Sequence, residues 1–93
     1  MIVADLIKEK DYDYIEWRSI LPEKLGGGDI FTGSCKSLNG ELVSLDGDHY
    51  SKETEVLEYE EWDNPLDNIT NGITIIYDAK FKTQEESTNV KIN

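Results

Sequence analysis

The dipeptide Asn39-Gly40 predicts a β-hairpin in the middle of the chain. It lies between two runs that contain apolar residues, in the segment IFTGSCKSLNGELVSL. Both central residues of a type I′ turn have positive φ, which asparagine and glycine tolerate better than other residues, and this turn joins antiparallel strands. The chain therefore contains β-sheet, and the turn marks where two of its strands meet.

The register of this hairpin has two alternatives. A two-residue loop pairs Cys35 with Ser44, whereas a three-residue bulged loop pairs Cys35 with Leu45. A slip of one residue turns every side chain to the other face of the sheet, so the two registers bury different residues. We expect the bulged loop, because it gathers the apolar side chains on one face: Phe31, Cys35, Val43 and Leu45.

The N-terminal part of the chain predicts a helix and a strand. Residues 2–10 place apolar side chains at helical spacing, and so short a helix is stable only if it packs on other elements. Residues 12–21 alternate, with Ile15, Trp17 and Leu21 on one face, which predicts a strand that ends before a proline. Three consecutive glycines then form a flexible connection to the hairpin, at 26–28.

Residues 55–62, EVLEYEEW, fit neither the helical nor the strand period cleanly. Their glutamates favour a helix, but on a helical wheel the apolar residues spread over more than half of the circumference. In a strand, Leu57 and Tyr59 share one face. We predict a strand here, followed by a last strand at residues 73–79 that pairs with it.

The elements follow one another as a helix and then five strands, with no helix between strands. This order predicts an α+β fold in which the short N-terminal helix packs on an antiparallel sheet or half-open barrel of about five strands. We predict that residues 1–79 form a single domain and that residues 80–93, which are polar and unpatterned, form a flexible C-terminal tail.

The net negative charge of the chain limits the kinds of molecule that it is expected to bind. The chain has twenty acidic and nine basic residues, a net charge of −11, and residues 46–67 hold nine of the acids against one base, Lys52. Nucleic acids and anionic membrane surfaces attract faces rich in lysine and arginine, so direct binding to either is disfavoured. We expect the basic surface of another protein as a partner, or no partner. The sequence does not indicate an oligomeric state.

The cellular compartment is indicated by two features. The single cysteine, Cys35, excludes an internal disulfide and with it a small secreted scaffold held by disulfides. No apolar stretch approaches the ~20 residues that span a bilayer, and MIVADLIKEK has no basic region before an apolar run. We therefore expect a cytoplasmic protein.

The segment LDGDHYSKE, residues 45–53, has the composition of a metal loop. An EF-hand loop that began at Asp46 would need an oxygen ligand at its fifth position, glycine at its sixth and glutamate at its twelfth, where this chain has tyrosine, serine and leucine. We interpret the segment as an Asp-Gly turn. The alternative is a small calcium-dependent structural module that uses Asp46 and Asp48.

Cys35 and His49 are the candidate nucleophile and base of a cysteine enzyme. In either register of the hairpin, extended strands place them ~14 Å or more apart. We therefore predict that Cys35 is a small buried residue, that no residue is catalytic, and that the protein is not an enzyme and uses no cofactor.

The acidic segment is the candidate partner-binding site. In a strand, Glu58 and Glu60 project from one face about 7 Å apart. Trp62 shares that face, and tryptophan is common among the residues that dominate protein interfaces. Such a row of carboxylates attracts protein sites built for phosphates, although the alternative is a solvated surface that keeps the protein soluble. The predicted site comprises Glu53, Glu55, Glu58, Glu60, Glu61, Trp62 and Asp63.

Two segments of the chain, SLDGDHYSKETEVLEYEEW and GITIIYDA, resemble sequences of a known class of small proteins. Over about residues 44–78, the chain resembles small acidic uncharacterised proteins of phages and mobile elements of Gram-positive bacteria. The resemblance implies a context rather than a site, because such elements encode small acidic proteins that bind and block host defence or nucleic-acid enzymes. We therefore expect a non-enzymatic accessory protein that blocks a nucleic-acid-binding host protein through its acidic segment.

Overall fold

The computed structural model describes residues 1–45, 47 and 49–81. The elements are α1 (Val3–Ile7), β1 (Tyr14–Ile20), β2 (Asp29–Leu38), β3 (Glu41–Ser44), β4 (Glu58–Asn64) and β5 (Ile69–Tyr77), with single 3₁₀ turns at Glu23–Leu25 and Pro65–Asp67. The predicted five strands and short N-terminal helix are confirmed, and strand dominates the described residues. Most of the predicted tail and the aspartates Asp46 and Asp48 lie outside them.

The strands form one sheet in the order β3-β2-β1-β5-β4. β1 and β5 are parallel, and every other neighbouring pair is antiparallel. The prediction of an antiparallel sheet is therefore wrong for one pair of strands, and the sheet is mixed, with β3 and β4 at its edges. Parallel neighbours require a crossover connection. The connection from β3 to β4 takes the chain to the opposite edge, so that β5 returns to the centre beside β1.

The β2–β3 hairpin has the two-residue register, so the predicted bulged loop is wrong. Asn39 and Gly40 have φ values of 53° and 79°, and Cys35 lies opposite Ser44. Both turn residues accept positive φ, so no extra residue is needed to close the loop. Leu42 instead packs against the core, whereas Phe31 and Leu45 are 46% and 48% exposed. A register shift in β2 opposite β1 separates Phe31 from the buried face.

The core lies between the sheet and α1. The two central strands supply its largest side chains, and the predicted apolar face of the helix covers them: Val3, Leu6 and Ile7 from α1, Ile15 and Trp17 from β1, and Ile73 and Ile75 from β5. Trp17 is also covered by the ring of Tyr50, which is stacked on it with ring centroids 4.3 Å apart. β1 ends at Ile20, so Leu21, which was predicted to share the face of Ile15 and Trp17, lies just beyond the strand and is half-buried.

Backbone hydrogen bonds hold the short helix in place. The amides of Val3 and Ala4 donate to the carbonyls of Thr54 and Lys52 at 3.0 and 2.9 Å. A five-residue helix is unstable alone, so these bonds and its buried apolar side chains stabilise it. We call the sheet face that packs against α1 the covered face and the opposite one the open face.

Candidate functional site

The register of β4, β5 and β1 arranges the open face in rows. Residues that lie directly opposite each other on neighbouring strands project from the same face. From β4 through β5 to β1, the rows are Trp62–Gly72–Tyr14, Glu60–Thr74–Glu16 and Glu58–Ile76–Arg18. Three residues of the predicted binding site, Glu58, Glu60 and Trp62, therefore share the open face.

Trp62 is held against its own sheet. A Cβ atom at Gly72 would lie 2.7 Å from two ring carbons of Trp62, so the indole occupies the space above the glycine. Its Nε1 donates to Thr74 Oγ1 at 2.9 Å, and its ring lies 5.8 Å from that of Tyr14. These contacts orient the half-buried indole on the open face.

A chain of polar contacts crosses the open face from Trp62 to β2. Thr74 Oγ1 donates to Glu16 Oε1 at 2.8 Å, and Arg18 Nη1 lies 3.3 Å from Glu16 Oε2. Arg18 also donates from Nε to Asp29 Oδ1 at 2.6 Å, and these hydrogen bonds raise the pKa of Arg18 above its usual value. Arg18 therefore pairs with both Glu16 and Asp29, and its single positive charge offsets one of their two negative charges.

Glu58 and Glu60 have a different electrostatic environment. Within the described part of the chain, neither carboxylate has an ion-pair partner. Both side chains are exposed and lie in the edge strand β4. Within the described residues, no ion pair offsets the charge of either carboxylate.

Glu61 belongs to an internal contact rather than to this acidic row. It projects towards the covered side, where Tyr12 Oη donates to its Oε1 at 2.5 Å and Lys10 Nζ lies 3.4 Å from the same oxygen. The hydrogen bond from Tyr12, followed by Lys10, lowers the pKa of Glu61. Burial, followed by this hydrogen bond, raises the pKa of Tyr12. Glu61 thus joins β4 to the segment before β1.

The other predicted acids lie around β4 but not on its open face. Glu53 and Glu55 are exposed in the segment that precedes the strand, where Glu55 forms an isolated antiparallel bridge with Ile2. Asp63 is exposed at the register shift between Trp62 and Asn64. The predicted set therefore divides into an open-face group, an internally paired Glu61 and flanking acids.

A groove of about 750 Å³ follows the N-terminal half of β4. Apolar and acidic side chains share its lining, which comprises Met1, Val56, Leu57, Glu58, Tyr59, Glu60, Thr74 and Ile76. Leu57 and Tyr59 were predicted to share a face of the strand, but Leu57 lies before β4 and both are about half exposed, at 48% and 47%. An apolar groove with uncompensated carboxylates at its border suits a ligand that is both cationic and apolar.

The geometry of the described residues does not support the two alternative sites, which are a cysteine–histidine catalytic pair and a cation site. Cys35 is 1% exposed, as predicted, and its Sγ lies 3.1 Å from Trp17 Nε1, whereas His49 is exposed. Among the residues that the structure describes, no group of three or more histidine, cysteine or carboxylate side chains is placed to hold a metal ion. The predicted turn at Asp46 and Asp48 lies outside them.

Sequence reasoning missed Gly72, Thr74 and Tyr12 as partners of the predicted site. An isolated glycine within a strand is typical of a close approach by another group, but the predicted last strand began at residue 73, so Gly72 was not recognised as such a position. Thr74 and Tyr12 carried no such signal, because their partners Trp62 and Glu61 are 12 and 49 residues away in the chain.

Comparison with protein-family models, with curated proteins and with solved structures finds no match to the chain. Across the described ranges, no helix has both the length and the apolar character that crossing a bilayer requires.

Proposed function

We propose that the chain is a non-enzymatic protein-binding module that recognises a basic surface through Glu58 and Glu60. One observation carries this proposal: the two glutamates lack ion-pair partners within the described residues, and they border the groove along β4. Glu16 and Asp29, in contrast, both pair with Arg18. Attraction between the uncompensated acids and a basic surface increases the association rate and favours the correct partner.

The partner class follows from the charge. A protein site built for phosphates presents clustered lysine and arginine, and a row of carboxylates competes with nucleic acid for it. We therefore propose that the target is a cytoplasmic nucleic-acid-binding protein and that binding blocks it. Blocking such a target is consistent with the resemblance to small acidic proteins of phages and mobile elements. We therefore propose that this chain is an accessory protein of such an element.

A matched pair of variants tests the proposal. Glu58→Lys/Glu60→Lys and Glu9→Lys/Glu23→Lys each add four positive units to the net charge of −11, but only the first changes the groove. Each protein is immobilised and exposed at low salt to nuclease-treated lysate of a Gram-positive bacterium, and retained proteins are eluted with a salt step.

The captured protein is then purified and titrated with each form in the presence and absence of nucleic acid. We expect the native chain and the Glu9/Glu23 variant to displace nucleic acid, and the Glu58/Glu60 variant to fail. Equal displacement by both variants would refute a site at Glu58 and Glu60, and an equal reduction relative to the native chain would assign the effect to net charge.

A further inference from the structure

The two edges of the sheet differ in what they offer to a partner. β3 has four residues and β4 has seven, and β4 pairs only with β5 within the described part of the chain. An edge strand leaves every other backbone amide and carbonyl without a partner on its outer side. β4 therefore presents the longer row of unpaired backbone groups.

The first part of β4 is regular enough to pair with another strand. Its register against β5 runs without interruption from Glu58 opposite Ile76 to Trp62 opposite Gly72, and the shift occurs only after Trp62. The groove follows this regular part. An extended segment that pairs with β4 here would also lie beside the side chains that line the groove.

Charge argues against a second copy of the chain as the occupant. Four of the seven residues of β4 are acidic, at positions 58, 60, 61 and 63. Pairing of two β4 strands would bring carboxylates close to carboxylates, and like charges opposite each other destabilise a sheet. If the paired strand instead places lysine or arginine beside Glu58 and Glu60, the electrostatic interaction between the two strands becomes attractive.

The side chains of β4 also indicate which residue types should alternate along a partner strand. Glu58 and Glu60 project from the open face, while Tyr59, 47% exposed, projects from the other. Successive side chains of a partner strand also alternate between the two faces. Basic residues on one face of the partner strand therefore match Glu58 and Glu60, and an apolar residue on the other face matches Tyr59.

We infer that β4 binds an extended segment of alternating basic and apolar residues, which adds to the sheet as a sixth strand beside Glu58–Trp62. This inference rests on the proposed function and specifies the form of the basic partner. Main-chain hydrogen bonds to the edge provide affinity, and the two glutamates select the charge.

Two synthetic peptides test the inference with the full chain. The probe is acetylated and amidated Lys-Val-Lys-Val-Lys-Val-Lys, and the comparator replaces each valine with proline, which keeps the charge but removes the amide donors and the ability to continue a ladder. Affinity is measured by calorimetry at low salt, and amide hydrogen exchange is followed by NMR.

We expect the valine peptide to bind about tenfold or more tightly than the proline peptide and to slow the exchange of β4 amides. We also expect Glu58→Lys/Glu60→Lys to weaken this binding and Glu9→Lys/Glu23→Lys to leave it near the native value.

The possible failures are distinguishable. Equal affinity of both peptides, with sensitivity to Glu58 and Glu60, would overturn strand addition but leave the acidic site intact. Equal binding by both charge-reversal variants would overturn the proposed function itself. A native dimer in sedimentation experiments that dissociates in the Glu58/Glu60 variant would assign the edge to a second copy and would also overturn the inference.

Discussion

The indole of Trp62 lies directly over Gly72, so close that a β-carbon on residue 72 would meet two ring carbons at 2.7 Å. The two residues are cross-strand partners in β4 and β5. The glycine therefore provides space on the open face for an aromatic ring that would otherwise project into solvent, beside Glu60.

Gly72→Ala should destabilise the protein by about 1–3 kcal/mol, because the added methyl group must displace the Trp62 ring. The measurement is urea denaturation followed by circular dichroism. The same change in a Trp62→Ala background should cost much less, since the ring is then absent. An equal cost in both backgrounds would show that the backbone of residue 72, rather than the indole, causes the loss.

The Tyr12–Glu61 hydrogen bond should contribute to acid stability. The pKa of Glu61 is lowered in the folded state, so its contribution is present above the unfolded pKa of ~4.3 and is lost as the pH falls through the folded pKa. Tyr12→Phe removes the donor, so we expect its stability to fall less than that of the native protein between about pH 6 and pH 3. Denaturant titrations across this range measure the difference.

Tyr59→Phe is the control for this experiment, because Tyr59 is about half exposed, at 47%, and the tyrosine that donates to Glu61 is Tyr12. Its pH profile should match that of the native protein. Parallel profiles for all three proteins would contradict a role for the Tyr12–Glu61 contact in acid stability.

Tyr12 should ionise at a higher pH than an ordinary tyrosine, because its pKa is raised. Burial and the hydrogen bond to Glu61 raise its pKa, so its contribution to stability is present below the unfolded pKa of ~10 and is lost as the pH rises towards the folded pKa. Alkaline titration of tyrosinate absorbance should show one late step that Tyr12→Phe removes. Loss of an early step instead would contradict the assignment.

Neighbouring glutamates of β4 should respond differently to neutralisation. Glu60→Gln removes an exposed charge that has no ion-pair partner within the described residues, so stability should change by no more than about 0.5 kcal/mol. Glu61→Gln weakens contacts with Tyr12 and Lys10 and should cause a clear loss. Thermal melts at neutral pH compare the stability of the two variants. A larger loss of stability in Glu60→Gln than in Glu61→Gln would contradict the proposal that Glu61, and not Glu60, is held within the fold.

Two leucines test the register of the β2–β3 hairpin. Leu42 packs against the core, whereas Leu45 is 48% exposed. Leu42→Ala should cost about 1–2 kcal/mol, below the range for fully buried leucines, and Leu45→Ala should change stability by less than about 0.5 kcal/mol. The opposite ranking in denaturant titrations would favour the three-residue loop.

Features that depend on a few consecutive residues were predictable from the sequence. The Asn39-Gly40 turn follows from the backbone preferences of two residues, and the inward positions of Ile15 and Trp17 follow from strand alternation. The apolar face of α1 follows from helical spacing in the same way. The hairpin register was not predictable by apolar pattern alone, because Ser37 is buried and its hydroxyl accepts a hydrogen bond from the Tyr12 amide.

The sequence by itself therefore determined the number of strands, the short helix, the turn and the excess of acid around β4, since each depends on local preference or composition. Only the tertiary structure decided that β5 lies parallel to β1, that Arg18 pairs with Glu16 and Asp29, and that Tyr12 binds Glu61. The path of the chain between strands sets which strands become neighbours. Charge compensation and side-chain packing depend on distance in space. Contacts with residues that are far away in the chain therefore determine which glutamates are paired within the fold and which remain exposed.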